Sequence, residues 1–468
     1  VFCAVNATSV ETKKHETGEA PPQDRGAVAG SQSVPRYTSY PTAPNFTPAV
    51  NGDVHAEWLR ALPETASLSL YLHVPFCAEL CHYCGCNTHA TRRQEPVERY
   101  IDDLITEIAL IAKLSGAKKV GRIHWGGGTP SIVGAAGLVR ISRALRAHFD
   151  LTALVEHAVE FDPRRTDAEV ARAFAAIGVN RANFGVQEFA AEVQKAIGRI
   201  QPFEVVEAAV NAVRNAGIGN IGVDLMYGLP HQTVEDVQFS ATLAARLRPQ
   251  RIAIFGYAHV PWFKKQQRLI DERALPNAKE RYVQALTARN AWRDLGYRQV
   301  GIDHYVLPED ELAIAAKRGA LHRNFQGYTD DDCPALIGLG ASAISRFPSG
   351  YAQNHPATAA YSAEIRYGKL ATVRGAVLSA EDLLRGEIIE RLMCDFRVDL
   401  DVLVRKHELP TIFSRELAQV DLLAAQGLAR RSGRRVEVTD RGKPFARIVA
   451  SVFDRYLADG RTRHSAAV

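Results

Sequence analysis

Tyr71-Leu72-His73-Val74-Pro75-Phe76 runs into Cys77-Ala78-Glu79-Leu80-Cys81-His82-Tyr83-Cys84-Gly85-Cys86, so four of the seven cysteines fall within ten residues. The spacing is Cys-x3-Cys-x2-Cys, with one further Cys two residues on. Thiolates this close repel one another unless a cation or cluster takes up their charge. Purely structural cysteines do not account for the crowding. Disulfides between such near neighbours are geometrically awkward, and the other cysteines lay out no disulfide framework. A structural zinc site usually draws its ligands from two pairs set apart by an intervening segment. An iron–sulfur cluster suits one tight loop better, because sulfide completes the iron coordination. Three cysteines holding three irons of a 4Fe–4S cluster would leave the fourth iron open to another ligand.

Such a loop needs a rigid carrier. Ser67–Val74 is apolar and reads as a buried strand, which places the cysteines just after a strand end. Strand and helix patterns alternate from there. Candidate strands are Ser67–Val74, Arg122–Trp125, Glu156–Phe161, Asn180–Val186, Asn220–Met226 and Arg251–Tyr257. Ile101, Leu104, Ile105, Ile108 and Ile111 form the apolar stripe of a helix between the first two. Further helices are expected near Ala135–Phe149, Asp167–Ile177, Phe203–Ala216, Val234–Leu247 and Asn277–Leu295. These repeats predict a parallel sheet with right-handed crossovers. The expected fold class is α/β, a partial (β/α) barrel of about six parallel strands. No GxGxxG loop marks a Rossmann site.

Chemistry in βα barrels is built at the carboxyl ends of the strands. Each candidate strand ends in a polar or glycine-rich feature. The cysteine loop follows the first, and Trp125-Gly126-Gly127-Gly128-Thr129-Pro130 the second. Glu160 ends the third, Gln187 the fourth, Asp224 lies toward the end of the fifth, and Tyr257-Ala258-His259-Val260-Pro261 ends the sixth. Taken singly, each has an ordinary reading: a turn, a salt-bridging carboxylate, a buried amide. A glycine loop after a strand also lets backbone approach a ligand closely. A carboxylate aimed into a barrel mouth can accept hydrogen bonds from an ammonium or a ribose.

At 468 residues, 46% hydrophobic and 23% charged, the chain has the composition of a globular protein with room for two or three domains. A net charge of +5 is too small to argue for nucleic acid and would suit an anionic substrate. No apolar run reaches the length of a spanning helix. Cysteine usage points to a reducing compartment, hence the cytoplasm. The start lacks Met and reads as incomplete or processed, and Val1–Val5 is too short for a signal peptide.

Cys-x3-Cys-x2-Cys after a strand resembles the signature of radical S-adenosylmethionine (SAM) enzymes. The wider string YLHVPFC…CHYCGC resembles one branch of them, the oxygen-independent coproporphyrinogen III oxidases of haem biosynthesis. Pro35–Pro44 (PRYTSYPTAP), Gly301–Tyr305, Leu321–Tyr328 and Leu339–Ser345 also match strings of that family. The resemblance implies one 4Fe–4S cluster on Cys77, Cys81 and Cys84, with Cys86 not a ligand. It implies two SAM molecules, contacted at Tyr71, Tyr83, Gly127, Gly128, Thr129, Glu160, Gln187, Arg199, Asp224, Ala258 and Ile344. Gly198 departs from the Asn usual before the arginine carried over as Arg199, and Arg181-Ala182-Asn183-Phe184 departs from a Ser or Leu. The implied reaction converts two propionates of coproporphyrinogen III to vinyl groups with loss of two CO2, giving protoporphyrinogen IX. A 5′-deoxyadenosyl radical then removes the β-hydrogen that acid–base chemistry cannot. The implied protein is a monomer served by a flavodoxin- or ferredoxin-type electron donor, with no nucleic acid partner. A haem-binding chaperone related to the same family is the alternative; the arm string and Cys86 favour the oxidase. A zinc-dependent scaffold is a third reading, separable by iron and labile sulfide content.

Four regions are expected: a disordered tail (1–33), an extended arm and a helix near His55–Leu62 (34–66), the barrel with substrate-side segments (67–370), and a mainly helical, winged-helix-like domain (371–468). The last comprises helices at Ala380–Leu392 and Phe413–Gln426, a hairpin over Gly427–Thr439 and a final helix Phe445–Leu457. Three prolines hold the arm out of regular structure. On composition the arm is a linker; the resemblance sets it beside the active site.

Overall fold

The computed structural model describes residues 33–457, so nearly all of the expected tail lies outside the described residues. Ser67–Val74 (β1) sets the pattern for the sheet. Leu68, Leu70, Leu72 and Val74 join the apolar core, while Tyr71 and His73 line a cavity on the opposite face. This is the two-residue alternation of a strand. Lys119–Gly127 (β2), Glu156–Phe161 (β3), Arg181–Gln187 (β4), Asn220–Tyr227 (β5) and Arg251–Gly256 (β6) follow, each parallel to its neighbour. All six expected strands are present. A seventh parallel strand, Ala335–Leu339 (β7), pairs with the free side of β1. It was not foreseen, because it comes late in the chain and follows no strand–helix repeat.

Beyond β7 the sheet continues antiparallel through Ile344–Phe347 (β8), Gly350–Asn354 (β9) and Thr372–Val377 (β10). At the other edge β6 pairs with His304–Val306, which pairs with Arg298–Val300. Among the described residues the two edges do not meet, so the barrel is open.

The register explains why polar side chains share the interior. Arg122 lies opposite Glu156, and Glu160 opposite Asn183. Gly185 lies opposite Asp224, and Gly222 opposite Arg251. Residues two apart on each strand therefore stack in layers. The lowest layer is charged and paired: Arg181 donates to Glu156 (2.6 Å), Arg251 to Asp310 (2.9 Å) and Arg122 to Asp330 (3.0 Å). It closes the amino-terminal end and leaves the carboxyl end open.

Crossover helices cover the outside. Gly52–Arg60 (α1) begins earlier than expected because Asn51 caps it. Gln94–Leu114 (α2) docks through Ile101, Leu104, Ile108 and Ile111, all fully buried. Each contributes about 1.5–3 kcal/mol of burial, so packing rather than propensity fixes the helix. Gly134–His148 (α3), Ala168–Ala176 (α4), Phe203–Asn215 (α5), Val234–Arg246 (α6) and Ala278–Asp294 (α7) complete the layer.

Ala380–Cys394 (α8) centres a second apolar cluster. Leu384, Ile388 and Leu392 pack there with Val420, Phe445 and Phe453. The expected hairpin forms as Ala429–Ser432 and Arg435–Val438, with an unforeseen third strand, Arg397–Asp399. The last helix is only Ala446–Ser451, shorter than expected.

Candidate active site

The cysteine loop hangs between two walls. On one side His82 donates its backbone N–H to the Ile197 carbonyl (2.9 Å). On the other, the segment after β6 grips three of its carbonyls. Gln267 donates to Tyr83 (2.8 Å), Gln266 to Cys84 (2.7 Å) and Lys264 to Cys86 (2.8 Å). Gln267 also donates to the Ala258 carbonyl (3.2 Å), which brings Tyr83 and Ala258 together.

The sulfurs meet donors. Thr88 and Thr129 hydroxyls reach Cys77 Sγ at 3.3 and 3.4 Å. Arg199 reaches Cys81 Sγ at 3.4 Å and Arg164 at 3.7 Å. Thr129 and Arg199 thus sit against ligand sulfurs rather than in open space. Arg199 is further held by the Gly185 carbonyl (2.6 Å) and Asp162 (3.3 Å). Gly198 adopts φ of +63°. Glycine and asparagine are the residues that best tolerate that region, so the departure from Asn keeps the local backbone. Gly128 is needed for space: a Cβ there would lie 2.4 Å from the Phe76 carbonyl oxygen. Its N–H donates to Val74 (2.7 Å), and that of Thr129 to Phe76 (2.7 Å), tying the glycine loop to the cysteine loop.

Tyr71, Gly127, Glu160 and Ile344 line a cavity of about 990 Å3 at the open end, together with Cys86. Glu160 and Asp224 line a second space of about 300 Å3 within the barrel, as does the unusual Asn183. Cys86 borders both. Gln187 ends β4 with φ of +71°, a left-handed conformation rare for its type.

Several residues here carried no sequence signal. His124 bonds Glu160 Oε1 at 3.1 Å, and the Gly127 N–H reaches Oε2 at 3.3 Å. His73 bonds the Tyr71 hydroxyl (3.0 Å) and the Asn87 carbonyl (2.9 Å). Position alone could have found both, since each lies two residues from a candidate or a counterpart on an inward strand face. Glu107 is less accessible to such reasoning. It sits on the buried face of α2 and accepts from Gly340 N–H (2.6 Å), Asn354 (2.6 Å) and Tyr361 (2.7 Å). It thereby anchors the turn between β7 and β8 that leads to Ile344. Burial pushes its carboxyl up to about 7 against those hydrogen bonds.

The two cavity carboxylates are driven apart. Burial raises Glu160, but the hydrogen bond and charge of His124 outweigh it and hold Glu160 below its usual range. Burial, then the negative charge of Glu160, push Asp224 up to about 7. The sign of the consequence follows. A carboxyl raised in the folded state favours folding below its unfolded value, and that advantage is lost as pH rises through the folded value. The contributions of Asp224 and Glu107 to stability of the ligand-free protein should therefore be lost between about pH 4 and 7, and Asp224→Asn should make that decline shallower. Melting temperatures of parent and variant across this range test it; parallel profiles would remove Asp224 as the cause.

Compared with known proteins, residues 71–244 match the family model described as the radical SAM superfamily. The chain is 45% identical to an oxygen-independent coproporphyrinogen III oxidase of Bradyrhizobium diazoefficiens, over 95% of this chain and 99% of that one. It is 46% identical to one from Paracoccus denitrificans, over 93% and 96%. The chain belongs to the oxygen-independent coproporphyrinogen III oxidase family. A solved coproporphyrinogen III oxidase from Escherichia coli, described as a radical SAM enzyme, superposes with a TM-score of 0.85 at 36% identity, covering 91% of this chain and all of that one. Relatives of that name do not favour the haem-chaperone alternative.

Membership in the radical SAM family implies a 4Fe–4S cluster and SAM. The residues present fit such a cluster. Hydroxyl and guanidinium donors to the sulfurs are the contacts that tune Fe–S thiolates. Of the adjacent pair, Cys84 is the more acidic thiol because it receives the Cys86 hydrogen bond, while Cys86 is raised by the same contact. Among the described residues no helix is long and apolar enough to cross a membrane.

Proposed function

We propose that this chain catalyses the oxidative decarboxylation of two propionate side chains of coproporphyrinogen III, giving protoporphyrinogen IX in haem biosynthesis. The observation that carries the reading is the 990 Å3 cavity, where the cysteine loop, a cavity carboxylate and a substrate-sized apolar wall face one space. Phe263, Phe325, Leu336 and Val373 supply apolar surface for a macrocycle, and Lys264 and Arg374 supply charge for its carboxylates.

Cys77, Cys81 and Cys84 would hold the cluster, while Glu160, Asp224, Tyr71 and the Gly127 backbone would bind SAM, with room for two molecules. When bound, the reduced cluster and SAM supply a 5′-deoxyadenosyl radical that abstracts the propionate β-hydrogen. This chain's residues bind, orient and exclude water. Glu160 offers a charge at the barrel mouth whose own position is fixed by His124 and Gly127. Arg199 and Arg164 place guanidinium donors beside the Cys81 sulfur. The inward layers below Asp224 close the barrel floor, and a closed site protects a radical from side reactions. A flavodoxin- or ferredoxin-type protein would deliver electrons to a monomeric enzyme in the cytoplasm.

The test is an anaerobic assay of the reconstituted protein with dithionite, SAM and coproporphyrinogen III, reading protoporphyrinogen and 5′-deoxyadenosine. Both should form. Glu160→Ala should keep full iron but lower SAM use about ten- to a hundred-fold, the loss of a charge-assisted contact of about 1.5–3 kcal/mol. Absence of protoporphyrinogen from a cluster-loaded, SAM-cleaving protein would end this reading.

A further inference from the structure

A second, smaller pocket of about 60 Å3 lies beside the ends of β5 and β6, walled by Arg36, Arg289, Arg323, Arg447, Tyr227 and Asp303. Among the described residues, four arginines and one carboxylate line it. Arg323 is only 5% exposed through its side chain, and Arg447 is likewise buried. Asp303 is already shared between Arg323 (3.4 Å) and His304 (2.7 Å). Arg36 is exposed and Arg289 half-buried, so the buried guanidinium that an entering anion would meet is that of Arg323, whose charge is already shared with Asp303.

Arg323 is built to receive that anion. Its Nη2 takes Asp303, its Nε reaches the Arg36 carbonyl (3.4 Å), and its plane lies 4.5 Å over the Tyr328 ring. Nη1 is buried without a partner, as is Nε of Arg289. A fork fixed on one edge and spare on the other is pre-organised for a carboxylate. The pocket is small and has room for a head group, since a single water needs only about 10–15 Å3 of such space.

The pocket is close to the large cavity. Arg323 stands in the hairpin His322–Asn324/Gly327–Thr329, and Phe325, two residues on, lines the mouth. At about 3.3 Å per residue that is about 7 Å. Tyr227 is three residues beyond Asp224 on β5, or about 10 Å along the strand. We propose that this arginine pocket is a carboxylate site that takes one propionate of the tetrapyrrole and so fixes the macrocycle over the barrel mouth. The inference rests on the reading above and deepens it, naming where a propionate that does not react is held.

The same chemistry could serve the methionine carboxylate of SAM, so the experiment separates the two. Arg289→Gln and Arg447→Gln are made separately, with Arg289→Lys beside them. Binding of coproporphyrin III and of its tetramethyl ester to the anaerobic holoenzyme is followed by fluorescence. Reductive SAM cleavage without substrate is measured on the same samples. Each Gln variant should bind the free acid about ten-fold more weakly, narrow the acid–ester gap and cleave SAM as before, with Arg289→Lys intermediate. The KM for coproporphyrinogen III should rise by a similar factor with kcat little changed. Unaltered acid affinity in both Gln variants would overturn the proposal, and so would a loss confined to SAM, which would assign the pocket to that carboxylate. The unaltered enzyme is run alongside: failure there to make protoporphyrinogen marks the functional reading, not the pocket, as wrong.

Discussion

Cys77→Ala, Cys81→Ala and Cys84→Ala should each yield a folded protein that holds no stable 4Fe–4S cluster and cleaves no SAM. Each change removes one of the three proposed protein ligands, and the other described cysteines outside the loop, Cys333 and Cys394, are buried elsewhere. Cys86 is two residues from Cys84 and bonds its sulfur, so it is the cysteine to test directly; it also borders both cavities, and its carbonyl is held by Lys264 (2.8 Å). The apolar core does not depend on the loop, since β1 is fixed by Leu68, Leu70 and Leu72, all essentially unexposed. Melting temperature should therefore change little in the cluster-free state. The measurement is iron and labile sulfide per chain after anaerobic reconstitution, with 5′-deoxyadenosine formation on the same samples. Cys86→Ser is the control and should keep its iron. Full iron with normal turnover in any of the three Ala variants would falsify the three-ligand assignment. Iron loss in Cys86→Ser would mean four ligands and no open iron.

The parts of this architecture legible in the sequence were those with a local cause. Ser67–Val74 and Glu156–Phe161 stand where their apolar residues placed them. The functional ends of six strands converge because a parallel register leaves them no other side. Two things were not legible. One is β7, whose pairing with β1 joins residues more than two hundred and fifty apart and leaves no periodic trace. The other is the set of residues that hold the site from behind. Glu107 on α2, Gln267 after β6 and Asp162 beside Arg199 look like ordinary surface polar residues in sequence, and only tertiary packing turns them inward. Arg199 illustrates the limit. On its own it reads as a solvated helix residue and the resemblance made it a ligand contact, whereas its Nη atoms are already engaged by Asp162, Gly185 and Cys81. Whatever it does for SAM, it also sets the charge around one cluster ligand.

The arm is where composition and structure diverge most. Three prolines within Pro35–Pro44 gave no reason of their own to fold. Yet Val34, Tyr37 and Tyr40 are buried in the apolar cluster around α8. The Tyr37 hydroxyl donates to Asp454 (3.1 Å), and the Arg455 N–H donates to the Tyr40 hydroxyl (3.1 Å). Arg36 reaches the other way, donating to the Gly256 carbonyl at the end of β6 (2.9 Å). The segment therefore ties the carboxyl-terminal helices to the barrel mouth. Deleting residues 1–44 should leave the cysteine loop in place, since these bonds of the described arm go to Gly256, Asp454 and Arg455, and the truncated protein should still load iron and cleave SAM slowly when reduced. It should not convert coproporphyrinogen III, because a wall of the substrate site is gone and no β-hydrogen is held in line with the radical. Removing Tyr37 and Tyr40 will also leave a void in the α8 cluster, so Arg36→Ala serves as a second variant that keeps those aromatics in place. It should couple poorly while melting like the parent. The decisive quantity is the ratio of protoporphyrinogen to 5′-deoxyadenosine on one sample, expected to fall at least ten-fold in the truncation and less in Arg36→Ala. A ratio equal to that of the full chain in both would return this stretch to the role of a tether.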